Sequence, residues 1–256
     1  MIHQTAIIDP DAEIVDDVVV GPYTIIGKDV KIGRGTIIGA HVVIDQNVEI
    51  GEYCQIFPFA CIGTPPQDVK YKGEKTGVKI GDRNVIREFV TIHRASVGGS
   101  GLTVIGDDNY LMAYVHIAHD CQLGNHTIFA NAATLGGHVK VGDGVVIGGV
   151  TAVHQFSSIG SYSMIGGCSG VAQDVPPYVV AVGNRAKLYG LNVIGLKRHG
   201  FSEDTIKQLK HVYRTVFQSK LPLKTALKEA REEFSDSYEV NYFLEFIESS
   251  QRGVCR

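Results

Sequence analysis

The chain has 256 residues, 44% hydrophobic and 20% charged, enough apolar material for one large domain or two modest ones. A formal net charge of −3 gives no electrostatic reason to expect a nucleic-acid partner. The start MIHQTAIIDP lacks the basic and apolar regions of a secretion signal, and there is no apolar run of about 18 residues. The five cysteines (Cys54, Cys61, Cys121, Cys168, Cys255) include no CxxC pair. A cytoplasmic location, reduced buried thiols and no membrane span are expected.

Taken in order, the chain shows a period of six. Every sixth residue is apolar from Ile8 to Ile62, from Ile80 to Ile92 and from Ile105 to Val171, which makes 25 hexads without a polar first place. The second place is often glycine (Gly21, Gly27, Gly33, Gly39), as a turn needing φ > 0 would require. The fifth is small or β-branched (Thr24, Thr36, Val42, Ala133, Val139) and is expected to point inward. Such content excludes an ordinary α-helix. Short strands with a corner every six residues stack into a parallel β-helix, three faces closing one 18-residue coil. The pattern resembles the left-handed β-helix of hexapeptide-repeat proteins, and the hand comes from that resemblance.

Two polar or Gly-rich interruptions, Gln67 to Lys79 and Ser96 to Val104, read as loops thrown out from corners. In the first, Lys70, Tyr71 and Lys72 are candidates for a substrate-covering flap. The period ends at Asp174-Val175-Pro176-Pro177. The expected division is a β-helix over 1–186 and a small helical domain over 187–256 that caps its open end. Ser202 followed by Glu203 and Asp204 is a helix start, with an apolar stripe from Ile206 to Phe217. Further helices are predicted over 223–233 and about 237–249.

Five of the ten histidines (His116, His119, His126, His138, His154) fall within 39 residues. Residues 18 apart stack in adjacent coils about 4.8 Å apart, which puts Gly137 over His119 and His138 over Asp120. His119 occupies an outward third place with Asp120 next to it. An external imidazole held by a carboxylate can act as a general base near neutral pH. Two other readings stay open on the residues alone: solvated surface histidines, and a zinc site built on His116-x-x-His119 with a third histidine.

The segments HIAHDC (116–121), GGHV (136–139), AVHQF (152–156), GGCSGVAQDVPPYV (166–179), GLKRHGF (195–201) and PPQDVKYKGE (65–74) resemble the UDP-N-acetylglucosamine acyltransferase family of lipid A biosynthesis over the whole chain. The resemblance implies transfer of a 3-hydroxyacyl group from acyl carrier protein to the 3-hydroxyl of the sugar in UDP-N-acetylglucosamine, with no cofactor and no metal. It implies His119 as general base, Asp120 as its orienting carboxylate and the Gly137 amide as oxyanion donor. Gln67, Asp68, Lys70, His116, His138 and His154 match positions that contact the sugar nucleotide or acyl group. Gln155, Asn192 and Arg198 match positions for the nucleotide and its phosphates, and Gly167 matches the position that limits acyl length. Ile194 and Arg185 depart from the pattern, where an acidic residue and a histidine are expected. A homotrimer with sites between subunits is implied, and Lys187, Lys197 and Arg198 offer a basic rim for the acidic carrier protein. The competing readings are a zinc hydratase of the γ-class carbonic anhydrase type and a non-catalytic β-helical scaffold.

Overall fold

Residues 1–256 are described by a computed structural model. The first place of every hexad lies in a short strand, and each strand pairs in parallel with the one a coil away. Ile8 faces Ile26, Ile117 faces Leu135, and Leu135 faces Val153. The strands form three sheets, of nine, eight and ten strands. We call them the first face (through Ile8, Ile62, Ile92, Ile117 and Val153), the second (through Ile14, Ile80, Ile105 and Ile159) and the third (through Val20, Leu111, Ile147 and Ile165). First-place and fifth-place side chains fill the prism between them: Ile62, Ile117, Thr24 and Val139 are all fully buried. Dispersion and the removal of apolar surface from water hold the coils together, since each coil covers only its neighbours.

The reason for the second-place glycines differs from the expected one. Positive φ falls on the fourth place, carried mostly by non-glycine residues such as Tyr23, His41, Asp120 (φ 60°) and His138 (φ 61°). Left-handed backbone costs such a residue about 1 kcal/mol, offset by corner hydrogen bonds such as His138 N–H to the His119 carbonyl at 3.0 Å. The second-place glycines serve close approach instead. A Cβ on Gly21 would lie 2.7 Å from the Gly39 carbonyl carbon, and one on Gly33 equally close to that of Gly51.

Both interruptions leave the coil at the corner between the first and second faces, between Ile62 and Ile80 and between Ile92 and Ile105. The first is stitched down by Arg94, which is 4% exposed. Its guanidinium donates to Tyr71 Oη and Asp45 Oδ2 at 3.0 Å and to the Gly63 carbonyl at 2.8 Å. Tyr71 Oη donates in turn to the Glu74 carbonyl at 2.7 Å. Tyr71 is therefore an anchor of the loop, while Lys70 and Lys72 are exposed.

An antiparallel hairpin of Val179–Val182 and Lys187–Leu191 extends the third face across the 186/187 boundary. Four helices follow: α1 (Val193–Arg198), α2 (Glu203–Gln218), α3 (Leu223–Glu233) and α4 (Tyr238–Ser249). Ser202 caps α2 by accepting from Thr205 N–H, and the expected stripe from Ile206 to Phe217 is buried as far as Val216, with Phe217 half-buried. The hairpin and α1 carry no repeat or long amphipathic pattern and were not anticipated. Their bonds are made to the coil: Asn192 caps α1 while its Nδ2 donates to the Tyr162 carbonyl at 2.9 Å. One buried cluster runs from Val18 through the prism into α2, α3, α4, Val254 and Cys255. No helix is long and apolar enough to cross a membrane.

Candidate active site

The corner between the first and second faces collects the chemistry. His119 Nδ1–H donates to Asp120 Oδ2 at 2.9 Å, leaving the Nε2 lone pair free to accept a proton. The His119 side chain is 15% exposed and that of Asp120 only 2%. One coil on, Gly137 lies against the imidazole: a Cβ there would meet His119 Cε1 at 2.4 Å and Nε2 at 2.6 Å. Only glycine lets the backbone come this close.

The Gly137 amide is also free. At the corner between the second and third faces, third-place amides are capped by the side chain one coil on: Asp82 N–H donates to Asp107 Oδ1, Asp107 N–H to Asn125 Oδ1, and Asn125 N–H to Asp143 Oδ1. Above Gly137 stands Gln155, whose side chain makes no such bond, and the Gly137 N–H has no partner within the chain. A free N–H beside a base is what stabilising a developing oxyanion requires.

His138 crosses His119 edge-on, with ring centroids 5.1 Å apart, and stacks on Phe156 at 4.4 Å. Burial pushes its pKa below the ordinary value, against the opposing pull of the Asp120 and Asp68 carboxylates. His116 is likewise lowered by burial and shares a 2.7 Å hydrogen bond between Nδ1 and Thr91 Oγ1. Beneath it His93, 6% exposed, packs edge-on at 5.0 Å with Nδ1 unpartnered. Burial first, then His116 and His119, push His93 down to about 4.

His119, Asp120 and His138 bring possible metal-ligand atoms within 4.8 Å of one another. Asp120 Oδ2, however, already accepts from Ser96 as well as from His119. His116, the partner of His119 in the zinc reading, turns Nδ1 to Thr91 instead.

Of the residues singled out from sequence, His116, His119, Asp120, Gly137 and His138 meet at this corner, with Asp68 close enough to act on His138. Gln155 is exposed above Gly137. His154 is exposed too, its Nδ1 2.9 Å from the Gln155 carbonyl and 3.2 Å from Arg252. Gln67 and Lys70 project from the first loop. Asn192, by contrast, is bonded to Tyr162 at the corner between the second and third faces, and exposed Arg198 ends the helix it caps. Gly167 lies exposed at the third corner, over Gly149. One chain thus spreads these residues over three corners.

His93, Ser96 and Thr103 were missed. The signal was available by counting: both interruptions separate a first-face hexad from a second-face one, as the hexad pair around His119 does.

A parallel β-helix of hexads with a His–Asp pair under a free backbone amide defines an acyltransferase of the hexapeptide-repeat class. The comparisons with known proteins agree. Residues 11–46 and 102–137 match the model of bacterial transferase hexapeptide repeats, and 174–255 match domain 2 of UDP-N-acetylglucosamine O-acyltransferase. The acyl-[acyl-carrier-protein]–UDP-N-acetylglucosamine O-acyltransferase of Thermodesulfovibrio yellowstonii is 62% identical, covering 100% of this chain and 99% of the relative. The structure of LpxA from Acinetobacter baumannii superposes with a TM-score of 0.97 at 46% identity, covering 100% of this chain and 99% of that one. LpxA from Bacteroides fragilis, a UDP-N-acetylglucosamine acyltransferase, gives 0.97 at 39% identity, with both chains fully covered. The chain belongs to the UDP-N-acetylglucosamine O-acyltransferase family, with its left-handed β-helix, and neither the zinc hydratase nor the scaffold reading is favoured.

Proposed function

We propose that the chain moves a 3-hydroxyacyl group from acyl carrier protein to the 3-hydroxyl of the sugar in UDP-N-acetylglucosamine, the first step of lipid A biosynthesis, in the cytoplasm. The observation that carries this is the His119–Asp120 pair at 2.9 Å against the Gly137 backbone. His119 Nε2 takes the sugar hydroxyl proton as the oxygen attacks the thioester carbonyl. Asp120 holds the imidazole and balances the imidazolium, and the Gly137 N–H donates a hydrogen bond to the negative charge developing on the carbonyl oxygen. Collapse breaks the carbon–sulfur bond, and the carrier thiolate leaves with the proton from His119. No metal or cofactor is required.

Asp68, His116 and His138 flank the base and are assigned to the sugar and acyl group, together with Gln67, Lys70 and His154. Gln155, Asn192 and Arg198 are assigned to the nucleotide, Arg198 to its diphosphate, which a guanidinium fork fits. Gly167 is assigned to the limit on acyl length, where it has no side chain to stop a longer acyl chain. Because these residues occupy three corners of one prism, a homotrimer is proposed in which each site draws corners from two chains.

Replacing His119 with Ala is expected to lower kcat by about 10²- to 10⁴-fold, read as acyl transfer from 3-hydroxyacyl carrier protein. Wild-type turnover by that variant would remove the assignment. Sedimentation equilibrium is expected to return three copies, and a monomer that retains full activity would remove the shared site.

A further inference from the structure

We propose that Ser96, at the start of the second interruption, is a positioning residue that locks the Asp120 carboxylate onto His119 and away from His138. Asp120 Oδ2 accepts the Ser96 backbone N–H at 2.9 Å and the Ser96 hydroxyl at 2.8 Å, the same oxygen that accepts His119 Nδ1–H. His138 Nε2 stands 3.8 Å from that oxygen, near enough to compete if the carboxylate rotates. The rest of the loop closes the clamp. Asp120 N–H donates to Thr103 Oγ1 at 2.9 Å, and Gly99 sits so close that a Cβ would lie 2.2 Å from Asp120 Oδ1. Ser96 is 3% exposed and Asp120 5%, so water does not substitute for these donors.

The interruption is therefore a holder for the base's carboxylate and no idle surface loop. Two donors from one residue fix the carboxylate plane. With the hydroxyl gone, the carboxylate is free to turn to His138, and its hold on a protonated His119 imidazole weakens. The ionisable groups facing this cluster are His119 and His138 on it, His116 and His93 beside it, and Asp68 beyond His138.

This rests on His119 being the base, and the test separates the two. For Ser96→Ala, kcat is expected to fall about 10-fold with KM for the sugar nucleotide unchanged. The acid limb of its kcat/KM profile moves to lower pH, because a carboxylate turned from His119 stabilises the imidazolium less. Ser96→Thr, which keeps the hydroxyl, restores both. A Ser96→Ala enzyme with wild-type kcat and acid limb overturns the proposal. So does a Ser96→Thr enzyme impaired like Ser96→Ala, or a loss of rate with lowered melting temperature and an unmoved limb. If His119→Ala itself transfers acyl groups at the wild-type rate, the base assignment falls. If His119→Ala is inactive while Ser96→Ala is normal, only Ser96 is removed.

Discussion

Single residues at the corner carry opposite demands. Gly137 must have no side chain, because a methyl group would occupy space 2.4 to 3.1 Å from three atoms of the His119 ring. Gly137→Ala is expected to push the imidazole from its place and lower kcat by at least about 10²-fold, the scale of losing an oxyanion donor, with KM little changed. Steady-state kinetics with both substrates check this. His93 shows the cost of burying an imidazole. Its folded value is near 4 while the unfolded chain protonates near the ordinary value of 6.5, so the unfolded state binds the extra proton. The stability tied to a neutral His93 is complete above about pH 6.5 and falls by about 3 kcal/mol as pH drops to about 4. Urea midpoints at pH 7 and pH 4.5 are expected to differ less for His93→Asn than for the wild type.

Among the elements, the tail is joined to the coil by few polar groups. Asp174, 5% exposed, accepts Ser158 N–H from the second face at 2.8 Å and the Ser250 hydroxyl from beyond α4 at 2.6 Å. Asp174→Ala leaves two half-buried donors unpaired and is expected to cost about 1 kcal/mol, read as a lower urea midpoint at fixed protein concentration. The strands were legible because each hexad repeats the same local rule: apolar at the first place, small at the fifth. α2 was legible from its cap and stripe. α1 and the hairpin before it were not, since six helical residues carry no readable periodicity and the hairpin leaves the six-residue rule, pairing in parallel with Met164–Ile165 and antiparallel with itself.

For the whole molecule, the dispersal of Asn192, Arg198 and Gly167 to corners away from His119 is the main constraint. If sites are shared between chains, co-assembly of His119→Ala with Arg198→Ala is expected to regain activity that neither variant shows alone. The assay is transfer by the mixture after joint refolding, and no recovery at any ratio would confine each site to one chain. An exposed ladder of Tyr23, His41, Phe59, Phe89 and Tyr114, with ring centroids 4.9 to 5.1 Å apart, runs along the corner that bears Gly167.

By itself the sequence determined whatever follows from vertical stacking. A six-residue period closes a coil in 18, so the registry of Gly137 over His119 and of His138 over Asp120 is arithmetic. Tertiary structure alone decided what lies across the prism or in the interruptions, where no period constrains the chain. That Ser96 reaches back to Asp120, that His93 is buried beside His116, and that Asn192 sits a corner away from the base depend on packing between residues whose separation obeys no local rule.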